Sequence, residues 1–309
     1  MLPPVTEPSA SPPARWVGLA LLSVYLIWSS TYYALRVVVH EAPPFLAGGT
    51  RYLLAGLILL AVARARGMAL PTRRQWRNTA LVGTLLFVMG NGFVAFASRE
   101  LGSGILAIVC AGMPLIGAVL SPLIGLRPSM REGVGLLVGF SAVTVLASGG
   151  DLSASPLSVG LLLLAPVGWA IGSLLVRRLD VGAPILASGA QMLTGGISML
   201  VLSAIVGEPV PELGAISAQA WAWFAHLVVF GSLVGFLAYQ YLLMNARPAV
   251  AMSYAYVNPV LAVILGATVG GEHVSPNALV ALALICAAVF LIVTKPKPAI
   301  VTAPALDPS

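Results

Sequence analysis

Residues 44–60 read PFLAGGTRYLLAGLILL, and residues 184–200 read PILASGAQMLTGGISML. Laid together without a gap, the two stretches agree at seven of seventeen positions, among them Gly49/Gly189, Leu53/Leu193 and Gly56/Gly196. Each is an apolar run long enough to cross a bilayer as a helix, opened by a proline, the residue that suits a helix's first turn. The likeness extends on both sides. Trp28 precedes Arg36 by eight residues and Trp169 precedes Arg177 by eight; Phe87, Gly92, Phe93 and Ala95 recur as Phe230, Gly235, Phe236 and Ala238; Pro114 has a counterpart in Pro259. The chain is one motif written twice.

Composition settles the setting. Of 309 residues, 59% are hydrophobic and 8% charged, with a mean hydropathy of +0.98. A water-soluble globule carries about 25% charged residues, so a soluble enzyme, a nucleic-acid binder and a disordered chain are all excluded. Ten apolar runs follow at 17–38, 45–65, 78–97, 103–123, 132–149, 157–176, 184–206, 219–240, 248–269 and 276–294, separated by short proline- and glycine-bearing turns. Runs near 20 residues without alternating polarity are helices rather than barrel strands. The expected fold is an all-α polytopic membrane protein of ten transmembrane helices. A first repeat occupies 15–150 and a second 151–294, with unstructured tails at 1–14 and 295–309.

Five spans per repeat is an odd number, so the second repeat enters the membrane from the side opposite the first. Inverted repeats of this kind recur in secondary transporters, with the binding site near the midplane between them. Gln75 and Gly182 should then emerge on one face. Thirteen of the sixteen basic residues, including Arg64, Arg66, Arg73, Arg74 and Arg77, fall on one side if the N-terminus is cytoplasmic. Arg36, Arg51 and Arg99 are the exceptions. Both termini are therefore expected in the cytoplasm. The acidic residues Glu41, Glu100, Asp151, Glu208, Glu212 and Glu272 fall on the opposite side.

Polar and aromatic side chains inside a span are costly beside lipid and mark a protein-lined or wet interior. Tyr25, Trp28, Tyr32 and Arg36 share one face of the first helix; Trp169, Ser173 and Arg177 share one face of the sixth. Read as cavity stripes, they offer Trp28, Tyr32 and Trp169 to the apolar part of a ligand; the alternative is helix packing. Arg51 is the basic residue well inside a span, with Gln191 in its place in the second repeat. It either attracts a carboxylate or satisfies helix-end carbonyls. Asn91, Tyr239, Tyr254 and Asn258 are candidate hydrogen-bonders to the polar part of a ligand, with Gln240 beside them. Pro114 and Pro259 are candidate hinges, the latter freeing the carbonyl of Ala255. Four-residue glycine spacings, as at Gly231/Gly235, fit close helix contacts.

Several chemistries are missing. No span has a carboxylate near its middle for a proton relay, and His226 reads better as a packed residue. The sequence has no GxxxxGK[ST], HExxH or GxSxG. The two cysteines, Cys110 and Cys286, lie in apolar runs, and three histidines form no metal cluster, so no metal and no cofactor is expected. A membrane enzyme acting on a lipid-soluble substrate and a channel are the competing readings; saturable, competable flux without covalent change separates a carrier from both.

These residues resemble the EamA unit of the drug/metabolite transporter superfamily. The resemblance is carried by Trp28-Ser29-Ser30, the stretch Pro44 to Arg51, Ala107 with Pro114, and Ala251 with Pro259 and Glu272, and it covers nearly the whole chain. One departure is Arg127, where the family often has a glutamate. The resemblance implies a ten-helix carrier of the bacterial inner membrane that exports amino acids or related metabolites by alternating access, with a small molecule and the bilayer as its partners and no ATPase subunit or nucleic acid. Length and aromatic content are similar to the YddG-type aromatic amino-acid exporters.

Overall fold

The computed structural model describes residues 14–120, 130–176, 178–246 and 253–293. The tails, and with them Arg127, Arg177, Arg247 and Ala251, lie outside the described residues. The described residues form ten helical rods and no strand: α1 (Ala14–Glu41), α2 (Pro44–Ala65), α3 (Arg73–Ala97), α4 (103–120), α5 (Met130–Ser148), α6 (Pro156–Val176), α7 (Pro184–Ile205), α8 (218–245), α9 (Tyr254–Thr268) and α10 (Pro276–Val293). Six of them are long and apolar enough by themselves to cross a membrane. Their outward side chains are leucine, isoleucine, valine and phenylalanine, as at Leu19, Leu22, Leu26, Leu57 and Ile197. Lipid accepts such a surface, and within it only structures that satisfy their own backbone, such as helices, are stable. This is a polytopic all-α membrane protein.

Local rules place the helix ends. Pro44 and Pro184 open α2 and α7, and Gly67 and Gly207 end them in the left-handed region (φ 79° and 71°), where glycine is the residue without strain. Helix α3 starts five residues before its apolar run. A capping box between Thr72 and Gln75 carries the helix through Arg73, Arg74 and Arg77 before hydropathy becomes apolar.

The repeated stretch forms the seam of the molecule. A methyl group added to Gly56 would lie 2.5 Å from the backbone nitrogen of Leu193 and 2.8 Å from the carbonyl oxygen of Gly189; one added to Gly196 would lie 2.6 Å from that of Leu53 and 2.9 Å from the carbonyl oxygen of Gly49. Adding 140 (184 minus 44) to one residue of each contact and subtracting it from the other turns the first set into the second. Gly49 meets Gly196 while Gly56 meets Gly189, so the helices run antiparallel. Four of the seven identical pairs, Gly49/Gly189, Leu53/Leu193, Gly56/Gly196 and Leu60/Leu200, touch across the seam, as fits a two-fold that relates the partners. Elsewhere α1 packs on α8 and α9, α6 packs on α3 and α4, and α5 packs on α10. Exchanging helix n with helix n+5 maps these pairings onto one another. Gln75 and Gly182 meet at one end, both bonded to Asp180 Oδ1 (3.0 and 3.2 Å).

Two features were not foreseen. Helices α3 and α8 each contain π-helical turns at matching places, Thr84–Gly92 and Leu227–Val234. And α4 breaks at Ala111–Gly112, giving pieces Ser103–Cys110 and Met113–Leu120. The break precedes Pro114, which sits in the first turn of the second piece, where its missing N–H is not needed.

At the end opposite the arginine-rich loops, carboxylates hold the helices that start there. Glu208 accepts from the backbone of Phe45 and Leu46 at the start of α2 (3.1 and 2.8 Å). Glu41 takes the N–H and hydroxyl of Ser217 before α8. Glu100 takes the N–H and hydroxyl of Ser155 and the hydroxyl of Ser158 at α6, and Asp151 holds Ser275 before α10. Glu272 pairs with Arg36 at 2.7 Å. Helix N-termini favour negative charge, and all but the Asp151 contact tie one repeat to the other. The Ser155 N–H foremost, with the Ser158 and Ser155 hydroxyls, holds the Glu100 carboxyl below the usual carboxylate range. A group whose folded pKa is depressed stabilises above its unfolded value and loses that contribution as pH falls through the folded one. Glu100→Gln should therefore melt below the parent at pH 7, and the gap should begin to narrow as the pH falls past the ordinary carboxylate value of about 4.3 and close only below the lowered folded value.

Candidate functional site

Midway along the bundle the helices part around a cavity lined from α1, α2, α3, α4, α6, α8 and α9. Counted with the part that opens to solvent it holds about 890 Å³, within the size range of small-molecule sites.

Trp28 of α1 is the hub of its aromatic wall. Ring centroids lie 5.1 Å away at Tyr239, 5.1 Å at Tyr254, 5.6 Å at Phe236 and 6.4 Å at Trp169, mostly edge to face. Such pairs are favourable beyond their buried area. Glycines seat both indoles: a methyl on Gly235 would lie 2.5 Å from Trp28 Nε1, and one on Gly90 would lie 2.9 Å from Trp169 Cε3. The indoles are thus fixed by α8 and α3, the two helices with π-helical turns.

The polar groups face this wall. Arg51 is 5% exposed, donates from Nε to Ser232 Oγ at 2.9 Å and lies 4.6 Å over the ring of Tyr52. The Arg36–Glu272 pair is the only ion pair among the described residues, so no carboxylate there neutralises Arg51. Asn258 of α9 is 5% exposed, and its Oδ1 has no hydrogen-bond partner among the described residues. Asn91 lines the cavity but spends its Nδ2 on Leu86 O at 2.9 Å, a carbonyl inside the π-helical turns.

Seven of the eight candidate residues, Trp28, Tyr32, Arg51, Asn91, Trp169, Tyr254 and Asn258, line this one cavity. Tyr239 stands behind them against Trp28 and Tyr254. Of the two prolines, Pro259 lines the cavity and Pro114 is buried beside it. The stripe on α1 divides: Tyr25 is hydrogen-bonded to Ser253, Trp28 and Tyr32 line the cavity, and Arg36 turns to Glu272. His226 is half-buried and bonded to Ser30 at 2.9 Å, joining α8 to α1. Phe236, Cys110 and Gly231 line the cavity although the sequence marked them only as a repeat partner, an apolar-run cysteine and a packing glycine, and Ser232, which holds Arg51, was not named. Phe236 was legible as the repeat partner of Phe93; Ser232 is one hydroxyl in an apolar run.

The EamA-like transporter family profile matches twice, over residues 15–148 and 156–294. The inner membrane transporter YedA of Escherichia coli K12 is 40% identical over 274 residues, covering 88% of this chain and 89% of that protein. Protein PecM of Dickeya dadantii is 25% identical across 86% of this chain and 88% of its own. A solved crystal structure superposes with a TM-score of 0.63 at 21% identity, covering 89% of this chain and 96% of that one, which establishes likeness of fold. With a doubled profile spanning both repeats and a relative this similar along most of its length, the chain belongs to the EamA-like transporter family.

Proposed function

We propose that the protein exports small amphipathic metabolites, amino acids with apolar or aromatic side chains, from the cytoplasm by alternating access. One observation carries the reading: a buried donor without a carboxylate, Arg51, and a buried acceptor without a partner, Asn258, share a cavity with an aromatic wall. An amino-acid zwitterion supplies the missing complements, a carboxylate to the arginine and an ammonium to the amide oxygen, leaving its side chain to Trp28, Tyr32 and Trp169. Asn91, Tyr239 and Tyr254 complete the polar and aromatic surroundings.

The repeats 15–150 and 151–294 would rock about the α2–α7 seam, bending where α4 breaks before Pro114 and where Pro259 sits inside α9. Charge placement supports cytoplasmic termini, and the name of the Escherichia coli relative supports an inner-membrane setting. The outward direction rests on the family. Facilitated exchange or uniport fits the absence of mid-span carboxylates.

The test is purified protein in liposomes offered labelled amino acids, nucleosides and organic cations. Saturable flux of an aromatic amino acid, competed by its unlabelled form, is expected; absence of flux for every amino acid defeats the reading. Trp28→Ala should weaken apparent affinity for phenylalanine about tenfold, the order of one aromatic contact of 1–1.5 kcal/mol. Unchanged affinity removes Trp28 from the site.

A further inference from the structure

We propose that Gly231 and Ser232, in the π-helical turns of α8, are positioning residues that seat Arg51 so that only its terminal Nη edge is offered to a ligand, which makes the site selective for carboxylate-bearing substrates. The inference rests on the reading of Arg51 given above and adds the device that aims it.

The hydrogen-bond chain has a fixed direction. Ser232 Oγ donates to Leu227 O, five residues back, at 3.1 Å. A hydroxyl has one proton. With that proton committed to the carbonyl, Ser232 can only accept, and what it accepts is Arg51 Nε–H at 2.9 Å. The backbone reason is the π-helical geometry itself. Wider turns bring residue i+5 over carbonyl i, and Ser232 occupies that place over Leu227. The serine is fully buried, so water does not compete for either bond.

Gly231 makes room for what remains. A methyl there would lie 3.0 Å from Arg51 Nη2, so a side chain would press on the guanidinium. Arg51 and Gly231 both line the cavity, and one face of the guanidinium is covered by Tyr52. An arginine grips a carboxylate by two parallel N–H bonds, either side-on through Nε and Nη or end-on through the two Nη groups. Ser232 holds Nε, which leaves the end-on fork.

The repeat provides an internal control. In the second repeat the place of Arg51 is taken by Gln191, and the α3 positions that match Gly231 and Ser232 (143 residues earlier, as Phe87 precedes Phe230) are Val88 and Met89. The arginine and its seat occur together once, and both are missing from the other side. A serine and a glycine serving only helix packing have no reason to be lost along with the arginine.

The test uses two probes with one apolar body, L-phenylalanine and 2-phenylethylamine, titrated onto the purified full-length protein with binding read by tryptophan fluorescence. The parent should prefer the amino acid at least tenfold. Ser232→Ala and Gly231→Ala should each lower affinity for phenylalanine roughly tenfold while affinity for the amine holds, and Ser232→Thr should restore the preference. In liposomes the same variants should raise KM for phenylalanine with maximal flux retained. Equal binding of the two probes by the parent, or none, overturns the carboxylate reading and the seat together. A preference abolished by Arg51→Gln but untouched by Ser232→Ala and Gly231→Ala overturns the seat alone.

Discussion

Gly56→Leu is expected to abolish the folded protein, and Gly56→Ala to cost roughly 3 kcal/mol, the upper end of what overpacking usually costs. Overpacking elsewhere is relieved by a rotamer change. Here the added atom would meet the backbone nitrogen of Leu193 and the carbonyl oxygen of Gly189 at 2.5 and 2.8 Å, and neither can move without separating α2 from α7. In lipid the close approach of small residues is itself a main source of helix association, so separation forfeits what holds the seam. The two-fold sharpens the expectation. Gly196→Ala meets the equivalent atoms of Leu53 and Gly49 at 2.6 and 2.9 Å, and its cost should match that of Gly56→Ala. Gly160→Ala, with no atom within 4 Å of the new methyl, is the control and should melt with the parent. Size-exclusion profiles and melting curves in detergent decide it: a monodisperse Gly56→Leu protein with the parent's melting temperature would mean that the α2–α7 seam is not the molecule's structural axis.

That seam was legible because one physical demand sets both the sequence likeness and the contact. Residues related by a two-fold and touching across it must be small on both sides, so Gly49, Gly56, Gly189 and Gly196 were constrained twice and stand out in a chain of interchangeable aliphatics. The ten spans and their alternation were legible for a similarly simple reason: lipid imposes length and apolarity. The cavity residues were legible as costly side chains at mid-span, and seven of the eight named on that ground line one cavity.

What escaped was whatever depends on tertiary partners. Nothing in the run LVVFGSLV (227–234) distinguishes π-helical turns from α, and the matching turns of α3 form without the serine or the arginine. Pro114 was read as a hinge within one continuous helix, yet proline in a first turn favours a new segment, and the chain parts before it. The sequence placed the carboxylates on the side opposite the arginine-rich end and assigned them nothing more. Their structural role, holding the starts of α2, α6 and α8 across the repeats, follows from which loops the fold brings together.

Arg51→Gln is expected to lower apparent affinity for an aromatic amino acid by about a hundredfold while leaving the melting temperature unchanged or raised. The first half follows from chemistry. Two charge-assisted hydrogen bonds to a carboxylate, worth about 1.5–3 kcal/mol each net of exchange with water, put the loss near 3 kcal/mol at the lower end, or two decades in binding. The second half is what separates a ligand-binding arginine from a structural one. A buried charge without a counter-ion is a standing cost to the fold, and among the described residues Arg51 has a serine and an aromatic face beside it but no carboxylate. Removing that charge relieves the cost, and glutamine is the residue the second repeat already carries at the equivalent buried place, Gln191, 7% exposed. Arg51→Lys should fall between, since an ammonium keeps the charge but cannot present a planar fork. Titrations and melting curves measured on the same preparations separate the two roles. If Arg51→Gln unfolds the protein while binding by the surviving folded fraction is unimpaired, the arginine is structural and the substrate's carboxylate must be met elsewhere in the cavity.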